Sequence, residues 1–134
     1  MLVDTGPLVA IVDDREPDHG ACRAVLAATT ESATTTLAAL TEAMHLLGSR
    51  GGWAAQDALW GVVEAGALEI APASAEDLPD LALLMRTYRD HPMDLADATL
   101  VLASAHLDDR TILTLDGHFR SYRLPGGGHF TVVP

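Results

Sequence analysis

Lysine is absent from this 134-residue sequence, and all eight cationic side chains are arginine. That absence excludes every mechanism needing an active-site lysine, so phosphate-gripping P-loops and Schiff-base enzymes are ruled out. Cysteine occurs once, at Cys22. A single thiol excludes an internal disulfide and a cysteine-built zinc site, and fits a reducing cytoplasm. No apolar run approaches the roughly 20 residues needed to cross a bilayer. The first residues carry Asp4 and no basic segment, so neither a signal peptide nor a membrane is expected.

Positive charge is also scarce: 8 arginines face 19 Asp and Glu, for a formal net charge of −11. Such a chain lacks the broad electrostatic footprint that phosphate binding normally uses. Either nucleic acid is not the partner, or metal ions and a few local arginines carry the contact. A basic protein partner also fits.

What is present is apolar and periodic. Hydrophobic residues make up 49% of the chain, enough for one domain over residues 1–134 with a sizeable core. Residues 1–4 read as a short buried strand ending at Asp4, and Pro7 stands near a helix start. "EPDHGACRAVLAATT" reads as helix and "SATTTL" as a brief strand. In "LAALTEAMHLLGSR", Leu37, Leu40, Met44 and Leu47 recur at helical spacing. Gly51–Gly52 punctuate before a further helix, "WAAQDALWGVVEAG". "ALEIAP" is a strand candidate. "SAEDLPDLALLMRTYRDH" is helical, with Ser74 and Asp77 as a capping-box pair. "DLADATLVLASAHL" is apolar on nearly every side, so it should be buried. "RTILTLD" predicts a strand ending in an acid, and "GHFTVV" a last strand. The alternation predicts an α/β fold with a parallel sheet flanked by helices. In such sheets ligands bind beyond the carboxyl ends of the strands, which is where Asp4 and Asp116 fall.

Each candidate acid also has a purely structural account. Asp4 suits an N-cap or turn. Asp94 and Asp97, three residues apart, share a helix face. Asp94 reads mainly as cap and support, and Asp97 as the better metal ligand, because a carboxylate opening a buried helix needs something cationic. Glu42 lies just off the apolar stripe, where a solvated face is the default. Its line of Thr35, Ala38 and His45 also suits the floor of an open cleft. Asp116 precedes Gly117, a common turn pair. His45 and His118 stand near the predicted cleft, without metal-ligand spacing. Trp53 and Trp60, seven apart, suit core packing or a partner surface. Arg86, Arg89, Arg120 and Arg123 are among the few groups able to hold a phosphate.

Carboxylates converging on one rim repel, and stay ionised only if a divalent cation neutralises them. Hard oxygen ligands point to Mg²⁺, with Mn²⁺ as the alternative. The chemistry so implied is in-line attack on a phosphodiester by a metal-activated water.

Four stretches, "MLVDTGPLVA", "TTTLAALTEAMHLL", "MDLADATLVLASA" and "ILTLDGHFRSYR", resemble the successive motifs of PIN-domain ribonucleases, and most of all the VapC-type toxins of toxin–antitoxin pairs. The resemblance runs in order from Met1 to about Arg123. It implies a PIN-like three-layer fold, its short, mostly parallel sheet lying between helices, and a Mg²⁺-dependent endoribonuclease acting on RNA. It further implies a cognate antitoxin occluding the site, and a homodimer. Asp4 and Asp97 match the family's firmest metal ligands, Glu42 completes the cluster, and Asp116 matches its most variable member. The acidic charge and missing lysine depart from what tight, unaided RNA binding needs.

Other readings fit less well. An aspartic protease would set Asp-Thr-Gly in a β-rich half-site. A haloacid-dehalogenase-like phosphatase wants an acid where Gly6 stands, and both it and a phospho-receiver domain need a lysine. The remaining alternative is a catalytically weak PIN-like module acting through protein partners.

Overall fold

The computed structural model describes residues 1–30, 32–91 and 93–134. Five short strands form one sheet: β1 (Leu2–Val3), β2 (Thr34–Thr35), β3 (Glu69–Ile70), β4 (Thr111–Leu113) and β5 (Thr131–Val133). Their order is β3-β2-β1-β4-β5, and every pairing is parallel. Leu2 lies opposite both Thr34 and Ile112, which fixes the register at the centre. The chain winds outward from β1 through β2 to β3, then returns to the far side of β1 as β4. The order therefore reverses between β1 and β4, and a crevice opens beyond their carboxyl ends.

Period-two alternation assigns the strand side chains to two faces. Leu2, Ile112 and Val132 face a core shared with α4 (Leu78–Thr87) and α5 (Leu95–His106). Val3, Leu113 and Val133 face the opposite core, filled by α1 (Thr5–Ala10), α2 (His19–Ala28) and α3 (Leu37–Glu64). The result is the expected three-layer α/β arrangement. As predicted, α5 is buried along most of its length, from Ala96 to Ser104. Among the described residues no helix is long and apolar enough to cross a membrane.

Several boundaries differ from the sequence reading. The strands are shorter, because their ends are drawn into caps and turns: Asp4 becomes the N-cap of α1 and Thr36 that of α3. The second helix begins at His19 rather than Glu16, since Pro17 disfavours helical backbone in the residue before it. Helix α4 stops at Thr87 rather than running to His91, and a 3-10 turn at Ala75–Asp77 precedes it. The Ser74–Asp77 capping box is present on that turn. The glycine pair breaks α3 as expected, with Gly52 at φ 64°, ψ −158°, backbone open essentially to glycine alone. Trp53, just past the break, is 67% exposed and Trp60 is 39% exposed, so neither is a core residue.

Candidate active site

The parallel pairing of β1 with β4 decides the centre of the site. The Asp4 backbone N–H donates to the Leu113 carbonyl at 3.0 Å, so the residues following each strand emerge side by side. Asp4 is buried, with only 7% of the residue exposed. Its Oδ1 accepts from the Thr5 N–H at 2.7 Å and its Oδ2 from the Thr114 hydroxyl at 2.7 Å. That hydroxyl in turn accepts from the Asp116 N–H at 2.9 Å. One threonine thus links the first acid to the last.

The Thr5 hydroxyl performs the same office on the other side. It donates to Glu42 Oε2 at 3.1 Å and also approaches the Ala39 carbonyl. Glu42 itself is exposed, as its place beside the apolar stripe suggested. Asp116 is half-buried and caps the following 3-10 turn, accepting from the His118 N–H at 2.8 Å. The His118 ring lies 3.0 Å from its carboxylate.

Asp97 enters from the N-terminus of α5. Asp94 is the N-cap, and the two form a reciprocal capping box: the Asp97 N–H donates to Asp94 Oδ1 at 2.9 Å, and the Asp94 N–H approaches Asp97 Oδ2 at 3.4 Å. Asp94 is exposed while Asp97 is 8% exposed, which matches cap for the former and the more enclosed position for the latter. The buried Tyr122 hydroxyl donates to Asp97 Oδ2 at 3.2 Å.

Electrostatics bind these acids into one system. Burial raises the Asp4 pKa to about 6, against the Thr114 and Thr5 hydrogen bonds and with smaller contributions from the Asp116 and Asp94 charges. Burial likewise raises Asp97 to about 7, with the Asp94 and Asp4 charges adding to it. Desolvation and like-charge proximity both disfavour the ionised form. None of the eight arginines pairs with Asp4, Glu42, Asp94, Asp97 or Asp116 among the described residues; those in ion pairs meet Asp13, Glu16 and Asp90.

The acids share a rim without closing around one point. Among the described residues no three acidic, histidine or cysteine side chains stand close enough to enclose an ion. That arrangement is unlike an all-protein cage of the kind that holds Ca²⁺. It fits Mg²⁺, which keeps several waters and binds through one or two carboxylates. Two buried, uncompensated carboxylates with raised proton affinity are a donor set suited to such an ion.

Glu42 and Asp94 also border an open groove of about 780 Å³ between α3 and the α4–α5 pair. Its walls include Leu37, Leu78 and Leu95, all well exposed, and His45 and His106 lie along it.

The PIN domain family matches residues 1–124 of this chain. The chain belongs to the PIN-domain family. It is 34% identical over 135 aligned residues to Ribonuclease VapC26 of Mycobacterium tuberculosis, covering both proteins completely. Its fold superposes on the crystal structure of VapC20, a sarcin–ricin loop cleaving toxin of the same organism, with a TM-score of 0.86. That match covers 99% of this chain and 98% of VapC20, at 20% identity. This PIN domain thus has VapC-type relatives and the five-stranded parallel sheet expected of it.

Thr5, Thr114 and Tyr122 were not singled out from the sequence. Thr5 and Thr114 carry a faint signal, being hydroxyls one and two residues from candidate acids. Tyr122 carries none, because only the tertiary fold brings it to a residue 25 positions earlier.

Proposed function

We propose that this PIN domain is a divalent-metal-dependent endoribonuclease, with Mg²⁺ as the resident ion, and the toxin of a toxin–antitoxin pair acting in the cytoplasm. The observation that carries this reading is the pair Asp4 and Asp97. They come from separate elements and are both buried; burial raises the proton affinity of each, the Asp4 charge adds to that of Asp97, and no arginine relieves them.

Asp4 and Asp97 would hold the ion, with Glu42, Asp94 and Asp116 as further oxygen donors at the rim. Bound there, a divalent cation supplies Lewis-acid stabilisation of a phosphodiester and a water acidified toward neutral pH. The chain's own residues do the rest. Thr5 and Thr114 fix both oxygens of Asp4. Asp116 and Glu42 extend the acidic rim on either side, where they can orient the attacking water and receive its proton. The exposed Arg120 and Arg123 follow Asp116. The Arg123 N–H donates to the Tyr88 hydroxyl at 2.8 Å, which brings the end of α4, with Arg86 and Arg89, against the same segment. These arginines are the phosphate-holding groups of an otherwise acidic chain.

The groove bordered by Glu42 and Asp94 is the proposed seat of the antitoxin. Its apolar walls and acidic end suit an amphipathic segment carrying a basic residue. The exposed Trp53 and Trp60 favour a homodimer or other protein contact on the second half of α3. VapC26 and VapC20, by their names a ribonuclease and an RNA-loop-cleaving toxin, support the class of reaction.

The test is incubation of purified protein with structured RNAs, with and without Mg²⁺, followed by sequencing of new ends. Asp4→Asn and Asp97→Asn are expected to abolish cleavage while retaining the circular dichroism of the wild type. Undiminished cleavage by either variant removes the assignment of the site to these acids, and a wild-type chain that cleaves no RNA with Mg²⁺ present favours a binding module only.

A further inference from the structure

We propose that Tyr122 is a positioning residue for Asp97, turning one oxygen of that carboxylate toward the cation and holding the other away. The inference rests on the metal-dependent reading above and concerns a residue outside the four acids.

Asp97 uses its two oxygens unequally. Oδ2 accepts from the Tyr122 hydroxyl at 3.2 Å and from the Asp94 N–H at 3.4 Å. Oδ1 accepts no hydrogen bond among the described residues. No buried side-chain oxygen or nitrogen among them lacks a partner, so Oδ1 must reach solvent. One oxygen is therefore tethered to the protein and the other is left free on the open side. A metal-binding carboxylate is commonly oriented in this way by an outer hydrogen bond to its non-ligating oxygen.

The donor is itself immobilised. Tyr122 is fully buried. Its ring meets Phe119 edge-on at 5.3 Å and Tyr88 at 5.1 Å, with interplanar angles of 73° and 64°. Phe119 is clamped in turn by Phe130 at 5.6 Å. With its neighbours packed, the ring cannot swing the hydroxyl elsewhere, and a phenol has a single proton to donate. The Tyr122 carbonyl is tied to the His129 ring at 3.2 Å, which anchors the backbone as well. The contact spans two elements: α5 supplies the carboxylate, and the segment after Asp116 supplies the phenol. Since Asp116 opens that segment, the same few residues carry the last acid of the rim and the tether of the third.

The test is Mn²⁺ binding by the full chain, followed by calorimetry and by loss of the free-ion EPR signal. Tyr122→Phe keeps the ring and deletes only the hydroxyl. It is expected to weaken Mn²⁺ about tenfold while retaining the wild-type circular dichroism, and its RNA cleavage should recover when Mn²⁺ is raised. Tyr88→Phe, which keeps the Asp97 tether, should bind Mn²⁺ as the wild type does. Equal Mn²⁺ affinity in wild type and Tyr122→Phe overturns the proposal and leaves the metal reading standing. A wild-type chain that takes up no Mn²⁺ overturns both. Should Tyr122→Phe fail to fold, the near-UV difference spectrum of Tyr88→Phe decides, because Tyr122 is then the only tyrosine. Saturating Mg²⁺ should perturb its phenol absorbance, and a flat difference spectrum overturns the proposal.

Discussion

Thr114 donates its hydroxyl to Asp4 at 2.7 Å across 110 residues of sequence, and the same oxygen accepts the backbone N–H of Asp116. A single atom therefore links the residues that follow β1 and β4, orienting the carboxylate of Asp4 while accepting the backbone N–H of Asp116. The rim of the sheet is organised by these neutral hydroxyls as much as by its acids.

Thr114→Val keeps the shape and deletes this atom. It strands the Asp116 N–H and removes a hydrogen bond to a buried carboxylate, a loss of about 1–3 kcal/mol in stability. Cleavage of RNA should fall about tenfold through misorientation of Asp4. Thr114→Ser should restore both. Denaturant melts and initial cleavage rates read the two effects, and a valine variant as active as the wild type would show that the hydroxyl does not orient Asp4.

The raised pKa values of Asp4, about 6, and Asp97, about 7, set a pH dependence. Both lie above the ordinary value of 3.8, so the folded chain binds these protons more tightly than the unfolded chain. The stability they contribute is complete below that ordinary value. It is lost as pH rises through the two folded values. In EDTA the melting temperature should therefore drop between about pH 4 and about pH 7 because of these groups. A divalent cation takes the place of the protons, so millimolar Mg²⁺ should shrink the drop. Asp97→Asn, which cannot ionise, should shrink it too. A melting temperature insensitive to both Mg²⁺ and Asp97→Asn across this window would contradict the electrostatic account.

The groove can be separated from the chemistry. Leu78 is 60% exposed on its wall, at the first turn of α4, where an acid is tolerated by the helix dipole. Leu78→Glu should leave RNA cleavage at the wild-type rate and weaken inhibition by the cognate antitoxin at least several-fold, read by titrating antitoxin into a cleavage assay. Inhibition at wild-type antitoxin concentrations would place the antitoxin elsewhere on the surface.

Much of this was legible in the residues. The break at Gly52 follows from a glycine pair in a helical pattern, and the burial of α5 follows from an apolar circumference that has nowhere else to go. The Ser74–Asp77 capping box and the role of Asp94 as an N-cap were legible from local pattern, and the structure added the reciprocal bond from Asp97. Asp4 and Asp116 were placed at one sheet edge because each follows an apolar run that pattern marks as a strand. Local signals suffice here, since cap, turn and periodicity are properties of neighbours in sequence.

Other features were settled by long-range packing. Trp53 and Trp60 repeat at a spacing that suits a core equally well, and only the way the second half of α3 lies decides that both face outward. The early stop of α4 is not written in "LLMRTYRDH"; there Tyr88 leaves the helix, packs on Tyr122 and accepts the Arg123 N–H. The sequence by itself determined which acids end which strands and helices, because secondary structure follows short-range chemistry. The tertiary structure alone decided that the sheet order reverses between β1 and β4, that Thr114 reaches Asp4, and that Tyr122 reaches Asp97. Those contacts join residues far apart in the chain, and their geometry is fixed only once two cores have packed against opposite faces of one sheet.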